Sequence, residues 1–290
     1  MIRVSAYAKI NWCLDVTGTR PDGYHELDML MQSVSLADQL SFRDAETLSL
    51  SVDGEGIPAD GRNLVIRAAL ALQSATGCQK GANITLHKEI PSEAGMGGGS
   101  SDAAAALRAL NLLWELNCSD EELERIGLSV GADVPFCVRG GLQRVRGIGD
   151  RLAQLSSGET MHILAVQPCP GLSTREVFGS FREDDRKDIA MDEAERALMS
   201  GDCEAVGRLM GNALEPAAIR MRPEIRTAME ALAETGACGV RMTGSGSVVF
   251  GLYRCAGSCR AALESVRKLY PDARALHTLG FGSEIAIVKE

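Results

Sequence analysis

The segment "PSEAGMGGGSS", Pro91 to Ser101, constrains this chain more than any other, because its densest run of glycine leads straight into "DAAAALRALNLLW". The second stretch is rich in alanine and leucine at helical spacing and predicts a helix. "ANITLHKEIP" just before it alternates as a strand does, so the unit reads strand, glycine loop, helix. Glycine in an ordered segment costs about 0.5–1 kcal/mol relative to alanine, so glycine at 95, 97, 98 and 99 needs a reason. Amides at a helix start lack intrahelical partners and the helix dipole favours negative charge there, which makes such a turn an anion site. The alternative is a tight strand-to-helix connection with Ser100 or Ser101 as N-cap. One connection needs one or two glycines, so residues 91–101 read as a phosphate loop.

Two familiar phosphate loops are excluded. A P-loop carries Gly-Lys-Ser/Thr after its glycines, whereas Ser100 follows Gly99 here. A dinucleotide fingerprint places an acidic residue about 20 positions on, at the end of a second strand. The residues there, Asp120 to Glu122, instead follow Ser119 in a capping-box pattern that predicts a helix start. The loop must therefore draw its lysine and its acidic partner from elsewhere.

Two segments offer them. "SAYAKINWCLDV" sets Lys9 in the middle of an otherwise uncharged strand, where a lysine needs a partner or must snorkel. "VGADVPFCVRGG" sets Asp133 between apolar neighbours, where it either serves the site or caps a turn. A further glycine cluster, Thr243-Gly244-Ser245-Gly246-Ser247, precedes the buried strand "SVVFGLY".

At 290 residues, with 45% apolar and 24% charged residues, the chain is long enough for two domains with real cores. Aromatics are only 4%, so Ala, Leu, Val and Ile must fill them. A net charge of −9 argues against a nucleic-acid binder, which needs a basic face. Nine cysteines without regular spacing read as reduced cytoplasmic thiols. Cys255 and Cys259 could share a helix face, but lack further ligands for zinc. No signal peptide or membrane-length apolar run is visible, so a cytoplasmic protein with no membrane or nucleic-acid partner is expected, a monomer or weak homodimer.

Strands are expected at 3–16, 38–44, 47–54 and 82–91, a ribbon at 141–155, then strands at 162–168, 239–242, 247–253 and 284–290. Helices are expected at 63–77 (stopped by Gly77), from 119, and at 173–181, 192–200, 202–214, 223–236 and 261–270. Small polar residues at 156–158 suggest a boundary, giving domains 1–157 and 158–290. The pattern is α+β or mixed α/β.

Three segments, "AKINWCLDV", "PSEAGMGGGSSDAA" and "RMTGSGSVVF", together resemble the GHMP kinases (galactokinase, homoserine kinase, mevalonate kinase and phosphomevalonate kinase). The family's marks are an N-terminal strand motif, a central Pro-x-x-x-Gly-Leu/Met-Gly-Ser/Gly-Ser-Ser loop and a C-terminal turn near Thr-Gly-Ser-Gly. "AKINWCLDVTGTRPDGYHEL", "GADVPF" and "IPSEAGMGGGSSDAAAALRALN" resemble most the branch acting in the non-mevalonate isoprenoid route. The likeness runs from about Val4 to Phe250 and is weakest over 180–235.

The resemblance implies a two-domain α+β fold, with an N-terminal domain like ribosomal protein S5 domain 2 and a ferredoxin-like C-terminal domain. It implies transfer of the γ-phosphoryl of ATP, with Mg²⁺, to the 2-hydroxyl of a cytidine diphosphate-linked methylerythritol. Lys9 and Asp133 match the catalytic pair, with Asp133 accepting the proton of the attacking hydroxyl or orienting it. Lys9 would keep the aspartate ionised and screen developing charge. Pro91, Ser92, Glu93, Ala94, Gly95, Met96, Gly97, Gly98, Gly99, Ser100 and Ser101 match the ATP phosphate loop, with a Ser100 or Ser101 hydroxyl toward Mg²⁺. Asn11, Tyr24 and His25 match the cytidine-side pocket. Thr243, Gly244, Ser245, Gly246 and Ser247 would brace the loop and line the acceptor side. Glu93 and Met96 depart from the commonest family residues, Gly or Ala and Leu; a carboxylate at 93 is expected to face solvent. Another small alcohol (homoserine or mevalonate type) is the competing acceptor, and a silent nucleotide-binding module the competing class, although such a module need keep neither Lys9 nor Asp133.

Overall fold

The computed structural model describes residues 1–21, 23–54 and 56–288. The N-terminal run of small and β-branched residues forms β1 (Ile2–Thr19), which pairs antiparallel with β2 (His25–Ala45). The strand expected at 38–44 is only the far end of β2. Its first half escaped notice because Met29 to Val34 are all buried, so no apolar–polar alternation marks them.

After β3 (Leu48–Asp53) the chain crosses by α1 (Leu64–Thr76) to β4 (Gly81–His87), parallel to β3. Asn63 caps α1 by accepting the Val65 N–H, and Gly77 ends it in the left-handed conformation (φ 72°). Next come α2 (Gly98–Leu113), α3 (Asp120–Leu128), α4 (Val134–Arg139), β5 (Leu142–Gly147) and β6 (Arg151–Leu155). The expected capping box between Ser119 and Glu122 is present at α3, and the ribbon expected at 141–155 is the β5–β6 pair.

A second sheet contains β7 (His162–Val166), and from it α5 (Thr174–Gly179), α6 (Met191–Ser200) and α7 (Cys203–Leu209) lead to the short β8 (Gly211–Asn212). Then follow α8 (Glu215–Met221), α9 (Glu224–Ala233), β9 (Gly239–Met242), β10 (Val249–Tyr253), α10 (Ala256–Val266), β11 (Arg274–His277) and β12 (Ser283–Ile287). The sheet order β11-β7-β10-β9, antiparallel throughout, is that of a ferredoxin-like unit. The helix expected over 202–214 stops at Leu209, and α8 and β11 were not foreseen. Of the strand expected at 284–290, residues 289 and 290 lie outside the described residues.

The first sheet runs β12-β1-β2-β4-β3, with β5 also on β2 and β8 on β1. Two strands beyond residue 158 thus pair with the N-terminal strand, so the two halves of the chain interlock along β1. Cys255 is the exposed N-cap of α10 while Cys259 is buried, and among the described residues no group of three or more His, Cys, Asp or Glu could hold a metal.

Irregular pairing along β1 aims the site. Ile2, Val4 and Ala6 pack in the core cluster under α1 and α2, whereas Ala8, Ile10 and Trp12 pack in the cluster against the second sheet, and Leu14 and Val16 return to the first. The exchanges coincide with register shifts between Tyr7 and Lys9 and between Asn11 and Cys13. A slip in register turns a strand's side chains to the opposite face. Lys9 and Asn11 are thereby turned toward α2.

Candidate active site

A cleft of about 600 Å³ opens where β1, the glycine loop, the start of α2 and the turn before β10 converge. Lys9 enters its floor from β1 and is only 3% exposed. Its Nζ donates to Asn11 Oδ1 at 2.8 Å and stands 3.4 Å from Asp133 Oδ2. Asp133 occupies the N-cap position of α4, yet its side chain makes no capping bond. The carboxylate faces Lys9 instead, about one-third exposed at the cleft. Lys9 and Asp133, far apart in sequence, are thus brought together.

Gly97 caps α2 in the left-handed conformation (φ 70°), so neither Ser100 nor Ser101 is the N-cap. The first helical bond runs from Ser101 N–H to Gly97 O at 2.8 Å, leaving the amides of Gly98, Gly99 and Ser100 ahead of the helix's own ladder. The glycines also answer to close approaches inside the protein. A Cβ on Gly95 (φ 76°) would lie 2.1 Å from the Thr243 carbonyl oxygen, and one on Gly97 would lie 2.9 Å from Lys9 Cγ. From Pro91 to Ser100 every residue but Met96 lines the cleft. Met96 packs in the second core cluster and offers only its carbonyl, which accepts the Lys9 N–H at 2.9 Å. Ser101 also turns away, its hydroxyl donating to Tyr7 O at 2.7 Å, so Ser100 alone of the two serines reaches the cleft. Glu93 is exposed at the rim with φ 51°, and its carbonyl accepts the Leu172 N–H at 3.0 Å.

Thr243 joins three segments. Its hydroxyl accepts the Asn11 N–H at 3.0 Å and donates to Gly95 O at 3.3 Å, tying β1 to the loop. Gly244 and Ser245 line the cleft, while Thr243, Gly246 and Ser247 sit behind it. Asn212, in the stretch where the family likeness is weakest, holds this turn: its Nδ2 donates to the carbonyls of Met242 and Gly244, both at 2.8 Å. A lone asparagine before a short helix carries no sequence signal for that role.

At the other end of the cleft, Phe178 of α5 stacks on His25, with ring centroids 5.3 Å apart and planes 20° from parallel. Phe181 meets the same imidazole edge-on at 5.8 Å. Tyr24 is 65% exposed beside it. Asn11, expected on the cytidine side, lines the cleft next to Lys9. Near the start of α2, Ile57, Pro58 and Leu64 form an apolar wall that no motif announced.

Sequence reading also missed a second buried lysine. Lys88 donates to Asp38 Oδ2 and, at 2.7 Å, to Asp102 Oδ2. Burial opposes its charge, but Asp102 and Asp38 outweigh that and hold its pKa above the usual value. Burial likewise pushes the Asp102 carboxyl well above the carboxylate range, against the pull of Lys88. Asp38 lies within β2, Lys88 just after β4 and Asp102 in α2, where single polar residues look ordinary.

This arrangement can bind an anion at the α2 amides and set a lysine–carboxylate pair beside it. Comparison with known proteins accords with that. The family model described as GHMP kinases N terminal domain matches residues 63–141, and that of GHMP kinases C terminal matches 194–272. The 4-diphosphocytidyl-2-C-methyl-D-erythritol kinase of Pelotomaculum thermopropionicum is 44% identical over 93% of this chain and 92% of its own length. The Bacillus pumilus protein of the same name is 38% identical over 95% and 96%. A crystal structure of 4-(cytidine 5'-diphospho)-2C-methyl-D-erythritol kinase superposes with a TM-score of 0.81 at 35% identity, covering 97% of this chain and all (100%) of that one. A homoserine kinase from Cytophaga hutchinsonii, at 19% identity and a TM-score of 0.78, shares the fold. With both domain models matched and relatives so alike along nearly the whole chain, the chain belongs to the GHMP kinases, in the family of the 4-diphosphocytidyl-2-C-methyl-D-erythritol kinases.

Proposed function

We propose that the protein is a cytoplasmic kinase that transfers the γ-phosphoryl of ATP to the 2-hydroxyl of 4-(cytidine 5'-diphospho)-2-C-methyl-D-erythritol. The observation that carries it is the Lys9–Asp133 pair, 3.4 Å apart, set in one cleft with the free amides of α2's first turn. Phosphoryl transfer needs positioning and charge neutralisation above all. The loop 91–101 receives the phosphates on backbone N–H groups, and the wall of Ile57, Pro58 and Leu64 takes the adenine.

Asp133 accepts a hydrogen bond from the 2-hydroxyl and takes its proton as the new O–P bond forms and the bond from the γ-phosphorus to the β–γ bridging oxygen breaks, that oxygen leaving with ADP. Lys9, steadied by Asn11, favours the ionised aspartate and screens charge on the phosphoryl oxygens. The donor set suits Mg²⁺ arriving with ATP: the Ser100 hydroxyl is a hard oxygen ligand at the cleft, too little for a dedicated cage, and Mg²⁺ would keep waters and phosphate oxygens. When bound, it would supply charge neutralisation to the phosphates. Tyr24, His25 and Phe178 hold the cytosine by aromatic faces and edge hydrogen bonds, while Gly244 and Ser245 close the acceptor side. The nine cysteines, none in a disulfide, suit a reducing compartment.

The test is ADP release with a panel of acceptors. The cytidylyl alcohol should turn over and homoserine and mevalonate should not. Turnover of mevalonate or homoserine in its place would overturn the assignment.

A further inference from the structure

Lys88 follows the last residue of β4 and precedes the phosphate loop by three positions. It is buried with Asp38 and Asp102; their side chains are 9%, 0% and 4% exposed. Replacing a buried ion cluster by apolar groups is often neutral or stabilising, so stability alone does not account for this one.

Its connections are informative. Asp38 Oδ1 accepts the N–H groups of Glu89 and Ile90 at 2.6 and 2.9 Å, fixing the chain as it leaves β4 for the loop. Asp102 lies beyond the first turn of α2, where the chain leaves the loop, and Lys88 is the one hydrogen-bond partner of its carboxylate among the described residues, Oδ1 having none. One ammonium therefore fastens both ends of the glycine loop. The fit is close, since a Cβ on Gly98 would lie 3.2 Å from Lys88 Nζ and 3.0 Å from Ile90 Cγ2.

We propose that Lys88 is a positioning residue of the ATP site, clamping the two ends of the phosphate loop through Asp38 and Asp102 so that the amide cradle is formed before nucleotide arrives. This rests on the reading of the cleft as an ATP site. A glycine-rich loop left free would have to be ordered at each binding event, and preorganisation removes that cost from the affinity. The clamp acts on the donor side. Among the described residues, its hydrogen bonds and ion pairs do not reach Lys9, Asp133 or the aromatic end of the cleft.

The test uses the full chain with ATP and the cytidylyl alcohol, together with direct ATP binding by calorimetry and amide hydrogen exchange. Lys88→Met should raise the Kd and KM for ATP tenfold or more. The KM for the alcohol should stay within about twofold, kcat at saturating ATP should be largely retained, and faster exchange should be confined to residues 91–101. Lys88→Arg should recover part of the affinity, a rescue that a packing role would not give. Because Lys88→Met leaves Asp102 without its partner, Lys88→Met/Asp102→Asn serves as the second variant and should show the same split if the single variant folds poorly. ATP affinity within twofold of wild type in either Met variant would overturn the clamp, as would equal changes in both KM values or exchange accelerated throughout the chain. A wild-type chain that binds ATP but ignores the cytidylyl alcohol would overturn the acceptor assignment only, and the ATP measurements would still decide the clamp. A wild-type chain that binds no ATP would overturn both.

Discussion

Two lysines line the same cleft, both nearly buried, and their surroundings differ. Lys9 has one partly exposed carboxylate at 3.4 Å and one neutral amide oxygen at 2.8 Å. Lys88 is held between two carboxylates that are themselves buried. A charge whose one carboxylate partner is looser and solvent-reachable can answer to a substrate, whereas one locked between two buried anions holds the backbone that carries them. Under the proposed roles, the difference divides the cleft into a corner that reacts and a corner that shapes.

The largest effect should come from the reacting corner. Asp133→Asn removes the proposed proton acceptor and should lower kcat by roughly 10²–10⁴, with ATP affinity preserved; binding calorimetry beside steady-state rates checks both. Equal loss of ATP affinity would erase the distinction between the corners. Next, Gly97→Ala puts a methyl 2.9 Å from Lys9 Cγ at a residue with φ 70°. Strain of about 1–3 kcal/mol follows, and a small displacement of Lys9 should lower kcat about tenfold or more. Gly98→Ala is its counterpart beside Lys88. The new methyl meets Ile90 Cγ2 and Cβ at 3.0 and 3.2 Å as well as Lys88 Nζ at 3.2 Å, and KM for ATP should rise a few-fold while kcat holds. If the two alanines gave the same kinetic pattern, the division would fail.

Thr243→Val tests the seam between the corners. It leaves the Asn11 N–H and the Gly95 carbonyl without the hydroxyl they share, an unpaired buried group costing about 1–3 kcal/mol. The melting temperature should fall, and kcat and KM for ATP should both worsen by a few-fold.

The smallest effect lies outside both corners. The Arg220 guanidinium holds the Asp185 carboxyl below the usual carboxylate range, so the pair stabilises the fold above the unfolded-state pKa near 4 and loses that contribution as pH falls further. The melting temperature of Arg220→Gln should lie slightly below wild type at neutral pH and converge with it under acid. A gap that widened on acidification would show the sign to be wrong, and neither KM should change at neutral pH.

Much of the reacting corner was legible. Glycine where alanine would be favoured, a charge alone in an apolar strand and an aspartate ahead of Pro135 each break a local rule, and each lies at the cleft. The reason for the glycines was only partly legible. Gly95 and Gly97 make room for Thr243 and Lys9, groups from distant segments that no local pattern reveals. The face exchanges along β1 were hidden because register is a property of two strands. Asp38, Asp102 and Asn212 look like ordinary polar residues in sequence, since their meaning lies in partners 14 to 52 positions away. The threefold use of β1, by β12 and β8 as well as β2, was likewise beyond a linear reading.

The central claim is that one lysine serves the reaction and the other the cradle. Pre-steady-state phosphoryl transfer, measured for Lys9→Met and Lys88→Met over a full range of ATP concentrations with the cytidylyl alcohol saturating, tests it most directly. Lys88→Met should approach the wild-type rate once ATP is high enough, while Lys9→Met should stay about 10²-fold or more below it at every concentration. Recovery of Lys9→Met by ATP, or failure of Lys88→Met to recover, would contradict it.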